Sequence, residues 1–170
     1  MAKYAFLGVE DLDTLSLEEQ VARCAACKAE VVSSDEREGG RRMILNYGHT
    51  LAHALEATGL ASEDASSPAE LRHGEAVGIG LVFAAELARL LGRIGAPRVE
   101  RHRRVVAGYG LPVELPPGAD SATLVGFMAR DKKSAGGLSF MLDGEAGVEP
   151  VHDVGPDVVY AAIDAIRGER

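Results

Sequence analysis

His49 and His53 stand four residues apart in a stretch of helical periodicity, so their imidazoles share one face. Metal sites use that spacing, because a zinc ion needs neutral nitrogen donors about 2 Å away. His73 follows across a polar loop, immediately before Gly74-Glu75, where a neighbouring helix could bring it in as a third donor. The competing reading is three surface or helix-capping histidines. An HxxxH pair alone does not decide, and this one lacks the Glu directly after the first His that zinc proteases use. A second constellation is cationic: Lys28 lies on an otherwise apolar stripe, and Arg42 sits one turn before Asn46. Both could face an anionic ligand, Arg as a fork and Lys as a point charge. Equally, Lys28 could snorkel to solvent and Arg42 could pair with Glu36 or Glu38. Asp131-Lys132-Lys133 closes a helix, where the dipole favours positive charge in any case. His102, among arginines, and His152, at the end of a strand, read as solvated. Cys24 and Cys27 read as two small buried helix residues, since there is no second cysteine pair to complete a zinc site. Gly74, Gly78 and Gly80 lie inside a helical pattern and follow no strand, so they are not a dinucleotide fingerprint.

The elements that must position these residues are mostly helices. With 170 residues, 46% hydrophobic and 26% charged, the chain can bury a core as one domain spanning 1–170. A first helix is predicted from about Ser16 to Ser33, with Ser16 and Glu19 as a capping box and Leu17, Val21, Cys24, Lys28 and Val31 along one stripe. A second runs from about Arg41 to Ala57 and stops at Gly59; residues 61–70 form a polar loop. A third, from about Gly74 to Leu91, is apolar over most of its surface and therefore central. A short basic helix covers 98–108, and Ser121 caps another that reaches about Lys132. Leu138 to Leu142 and Val148 to Val151 form a hairpin turned at Asp143-Gly144, and a last helix spans Pro156 to Arg167. The expected class is mainly α with a small β-hairpin near the C-terminus.

Charge and composition exclude several roles. A net charge of −8 argues against coating nucleic acid. No apolar run approaches the roughly 20 residues that span a bilayer, and no basic n-region precedes an apolar stretch at the N-terminus. Two cysteines make no disulfide framework, which points to a reducing cytoplasm.

Several stretches, in order and in register, resemble the C-terminal half of 3-dehydroquinate synthase and its sugar phosphate cyclase relatives. They are Lys28 to Val32, Asp35 to Gly39, Leu45-Asn46-Tyr47-Gly48-His49-Thr50 with His53-Ala54-Leu55-Glu56, His73-Gly74-Glu75-Ala76, and Asp131-Lys132-Lys133 followed by the Leu138 strand. Ala52 departs from the pattern, standing where many members have glycine. The resemblance implies a helical metal- and substrate-binding domain in which His49 and His73 are zinc (or cobalt) ligands. It makes His53 an acid/base beside the substrate, with Lys28 and Asn46 in the same catalytic group. Lys28, Arg42 and Asn46 would hold carboxylate, phosphate and ring hydroxyls; Lys132 or Lys133 matches a further anchor, and Lys3 a lysine near the metal. The implied reaction cyclises a seven-carbon keto-acid phosphate (DAHP) to 3-dehydroquinate with loss of phosphate, using bound NAD, as a lyase of the shikimate pathway to aromatic amino acids. The resemblance also implies a third ligand, a glutamate three residues ahead of the position of Lys3, and ahead of that an NAD-binding domain; neither falls within this sequence. Alternatives are a valiolone- or deoxyinosose-type cyclase domain, a self-sufficient three-histidine zinc domain, or a helical binding module without catalysis. Expected partners are an anionic sugar phosphate and an NAD-binding domain or subunit, with a homodimer left open. The chain without that other half is expected to fold but to turn over no DAHP.

Overall fold

A computed structural model describes residues 1–9, 11–35, 40–62, 70–130 and 137–168, and for residue 13 the backbone only. The class is the expected one, mainly α with a small antiparallel hairpin near the C-terminus. After a 3₁₀ segment, Ala2–Phe6, helix α1 runs Leu17–Ser34. Its start is the capping box read from the sequence: the Glu19 amide donates to Ser16 Oγ, and the Ser16 amide donates to Glu19 Oε2. The stripe is another matter. Cys24 and Val31 are buried, but Leu17 and Val21 are 67% and 53% exposed and Lys28 faces solvent. Helix α1 therefore lies on the surface. Cys24 meets a small cluster of Tyr4, Val9 and Leu12, which leaves the Lys28 side uncovered.

The expected continuous helix from Arg41 to Ala57 is two pieces. Arg41–Asn46 is a 3₁₀ segment, and α2 is His49–Ala57. Gly48 breaks the run with φ of +81°, a left-handed conformation that suits glycine. Asp35 Oδ2 anchors the first piece by accepting from the amides of Gly40 and Arg42. Beyond α2, β1 (Ala61–Ser62) pairs in parallel with β2 (Leu71–Arg72), and residues 63–69 of the expected loop lie outside the described ones.

Helix α3 (His73–Leu90) is the axis of the molecule. Ala76, Ile79, Val82, Ala85, Leu87 and Ala88 are all fully buried, as the apolar pattern required. Each large aliphatic side chain so buried contributes roughly 1.5–3 kcal/mol. The first turn of α2 presses on α3 at Gly80, where a Cβ would collide with the Gly48 carbonyl. Ala52 is fully buried in the same core. Two glycines thus let the backbone that carries His49 approach α3 directly.

The remaining elements wrap this pair. Helix α4 is Ala96–Gly108, with Pro97 in its first turn rather than ahead of it. Helix α5 is Ser121–Arg130, and its cap is Asp120 instead of Ser121, because Asp120 Oδ2 accepts from the Thr123 amide at 2.8 Å. Strand β3 (Leu138–Leu142) pairs antiparallel with β4 (Glu149–Val154), and α6 is Pro156–Asp164. Asp143 does not sit at a turn tip: it is fully buried and gripped by Arg98 through Nε at 2.6 Å and Nη2 at 3.1 Å. Among the described residues no helix is long and apolar enough to cross a membrane.

Candidate metal and substrate site

Helix α2 carries His49 at its first residue, His53 one turn on and Glu56 a further turn on, all on one face. His73 opens α3, so the crossing of the two helices brings their imidazoles together. The His49 and His73 ring centroids are 5.6 Å apart, and those of His49 and His53 are 5.8 Å apart. His49 and His73 also line one cavity of about 350 Å³ with Lys3, Gly74, Val77 and Leu81.

Hydrogen bonding sets which ring nitrogen is available. His49 Nδ1 lies 3.1 Å from the Tyr47 carbonyl, and His73 Nδ1 lies 2.6 Å from Glu56 Oε1. A carbonyl and a carboxylate only accept, so both Nδ1 atoms donate and neither Nε2 is used in these contacts. Burial, then the nearby Lys3, pushes His49 down to about 4, so its ring is neutral at ordinary pH. An imidazole whose Nδ1 is engaged and whose Nε2 is unused is the donor chemistry that a zinc or cobalt ion takes. The two residues therefore fit such an ion, but they do not complete its shell. Among the described residues no group of three His, Cys, Asp or Glu side chains is placed to hold a metal.

Lys3 Nζ donates to the Leu45 carbonyl at 2.9 Å. Burial first, and then repulsion from Lys28, lowers the Lys3 ammonium below its ordinary value. Lys3 is thus close enough to interact electrostatically with both His49 and Lys28. His53, Lys28 and Asn46 are exposed and Arg42 is half-buried; none of the four lines the cavity. Lys132 and Lys133 lie outside the described residues, as do Glu36 and Glu38.

Two of the remaining sequence readings hold and one is overturned. Cys24 is buried and Cys27 half-buried, both are free thiols, and burial raises both above the ordinary range. His152 is exposed. His102, expected in solvent, is fully buried. Its ring stacks on Phe6 at 3.6 Å and 7°, Nδ1 donates to the Arg98 carbonyl at 2.8 Å, and Nε2 accepts from the Tyr47 hydroxyl at 2.8 Å. The correction has a physical reason: the arginines beside it in sequence project from other faces of α4, while His102 faces inward with Val99 and Val106. Tyr47 and Glu56 are the polar contacts that residue spacing alone did not single out. The one available signal was Glu56, seven residues after His49 and so two turns along the same face.

Comparison with known proteins places this geometry. Residues 5–134 match the family described as 3-dehydroquinate synthase C-terminal. A protein of Amycolatopsis mediterranei, provisionally named aminodehydroquinate synthase, is 49% identical over 165 residues, covering 96% of this chain and 44% of its own. A 3-dehydroquinate synthase of Pseudarthrobacter chlorophenolicus is 42% identical over 165 residues, covering 95% and 42% respectively. The chain thus spans less than half the length of these relatives. In fold it is similar to a 2-deoxy-scyllo-inosose synthase crystallised with carbaglucose-6-phosphate, NAD+ and Co2+, with TM-score 0.74, 22% identity, and 95% of this chain covered against 49% of that one. A 2-epi-5-epi-valiolone synthase from Streptomyces hygroscopicus with NAD+ and Zn2+ bound gives TM-score 0.69 at 22% identity, over 87% and 39%. The chain belongs to the 3-dehydroquinate synthase C-terminal family.

Proposed function

We propose that this chain is the metal- and substrate-binding half of a dehydroquinate synthase-type cyclase, which closes DAHP to 3-dehydroquinate with elimination of phosphate. The observation that carries the reading is the pairing of His49 and His73, both with Nδ1 engaged, beside Lys3 in one cavity. Nε2 of each would hold a zinc or cobalt ion, which when bound supplies a Lewis acid for the hydroxyl undergoing oxidation. NAD, which supplies the transient oxidation and its reversal, we place in the additional length that the relatives have. Within this chain, Lys28 and Arg42 take the carboxylate and phosphate charge, and Asn46 bonds ring hydroxyls. Lys132 or Lys133 adds an anchor. His53, exposed next to His49, accepts and returns the proton that moves during oxidation and elimination. Cations holding a multiply charged substrate in one orientation would lower the barrier by pre-paying its orientational entropy.

Phosphate release from DAHP tests the reading. With Zn2+ and NAD, the 170-residue chain alone releases none, and the chain joined to the NAD-binding half of the Amycolatopsis relative releases phosphate in a His53-dependent way. Turnover by the chain alone, or by the joined enzyme with His53→Ala unimpaired, overturns it.

A second reading concerns the substrate. The 49% identity to the protein named for an amino product exceeds the 42% to the dehydroquinate synthase above. On that reading the same site takes an amino-substituted analogue of DAHP. The ratio of kcat/KM for the two substrates decides between them.

A further inference from the structure

Glu56 is joined to His73 by a short contact between side chains 17 residues apart, Nδ1 to Oε1 at 2.6 Å. Both groups are part-buried, the carboxylate side chain 26% exposed and the imidazole 39%. The contact ties the last turn of α2 to the first residue of α3. We infer that Glu56 is a positioning residue which holds His73 in the Nδ1–H tautomer and so presents its Nε2 lone pair to a divalent zinc or cobalt ion.

The inference rests on the metal reading above and extends it to a residue with no place in that reading. A carboxylate cannot donate a proton when ionised, so the proton in this contact belongs to Nδ1. With the ring oriented so that Nδ1 meets Glu56, Nε2 is then the donor atom. His49 reaches the same tautomer by a different route, through the Tyr47 carbonyl. The two routes are unequal. A backbone carbonyl orients the ring, whereas a carboxylate orients it and also raises the basicity of the opposite nitrogen. Loss of Glu56 should therefore weaken metal uptake through His73 alone.

A merely structural clasp between α2 and α3 would predict something else. Glu56→Ala would then lower stability and leave the tautomer and the intrinsic metal affinity unmoved. Two measurements on the full 170-residue chain separate the cases. In the first, two-bond proton–nitrogen spectra of histidine-labelled, metal-free protein report which nitrogen of His73 is protonated, with His73→Asn giving the assignment. The expected result is Nδ1–H in the parent chain and in Glu56→Gln, whose amide oxygen still accepts, and a shift toward Nε2–H in Glu56→Ala. In the second, Co2+ alone is titrated and followed by its visible absorption. Affinity should fall about 10- to 100-fold in Glu56→Ala, with Glu56→Gln between it and the parent. Nε2–H at His73 in the parent chain, or equal Co2+ affinity in Glu56→Ala and parent, overturns the inference. Co2+ uptake by neither the parent chain nor the chain joined to the other half of the Amycolatopsis relative overturns the metal reading instead, and the tautomer spectra still decide the role of Glu56.

Discussion

His49 and His102 lie on either side of Tyr47 and differ in a single respect that matters. Burial is the first cause that lowers both, each to about 4, and Tyr47 bonds to both. At His102 both ring nitrogens are used inside the protein, by the Arg98 carbonyl and the Tyr47 hydroxyl. At His49 the Tyr47 carbonyl takes Nδ1, and among the described residues nothing takes Nε2. A lowered pKa therefore does not separate the two imidazoles; the unspent lone pair at His49 does. The region around His102 is built to be closed, with Phe6 stacked on the ring and Asp143 held by a bidentate arginine. The region around His49 leaves a ring nitrogen unused.

Breaking the closed region should cost the most stability. Arg98→Ala leaves the buried Asp143 carboxylate without its guanidinium and should cost about 3–5 kcal/mol in urea unfolding. A loss below about 1 kcal/mol would mean the node is not a stability element. Acid attacks the same place. The folded pKa of His102 lies below its unfolded value, so the unfolded chain binds the extra proton between the two. Its contribution is thus full above about 6.5 and is lost as pH falls toward about 4, on the order of 3 kcal/mol. The groups facing the ring are Asp143, which favours the cation, and Arg98 and Arg101, which oppose it. The His102→Gln chain should show a flatter stability profile across that window, and an unchanged slope would assign it elsewhere.

Tyr47→Phe removes the hydroxyl donated to His102 but keeps the carbonyl that holds His49. It should cost about 1–2 kcal/mol by thermal melting and leave Co2+ affinity unchanged. A drop in affinity would show that the two regions are coupled through this residue. The smallest stability effect is expected at the open region, where His49→Ala and His73→Ala should change unfolding free energy by less than about 1 kcal/mol yet remove Co2+ binding. Co2+ bound equally well by either variant would erase the distinction between the regions.

Much of the architecture was legible in local pattern. Ser16 and Glu19 announced the start of α1, and the apolar run from Ala76 to Ala85 announced a central helix. The break at Gly48 was not legible, because apolar periodicity continues across it and a left-handed glycine leaves no mark on that period. Asp143 was read as a turn residue because Asp-Gly has that habit in isolation, whereas an arginine 45 residues away makes its burial tolerable. His102 was misplaced for a similar reason. Its neighbours in sequence are charged, and its stacking partner, Phe6, lies 96 residues earlier in the chain.

The sequence by itself determined which side chains share a helix face: His49, His53 and Glu56 on α2, because the helical period depends only on the backbone. Family membership was also written there, in several short motifs kept in register. Only the tertiary structure decided that α3 delivers His73 to that face, that Gly48 and Gly80 permit the approach, and that Glu56 and Tyr47 occupy the inner nitrogens. Those outcomes depend on partners far apart in the chain, and no local spacing encodes a hydrogen bond between elements that meet only when the core closes.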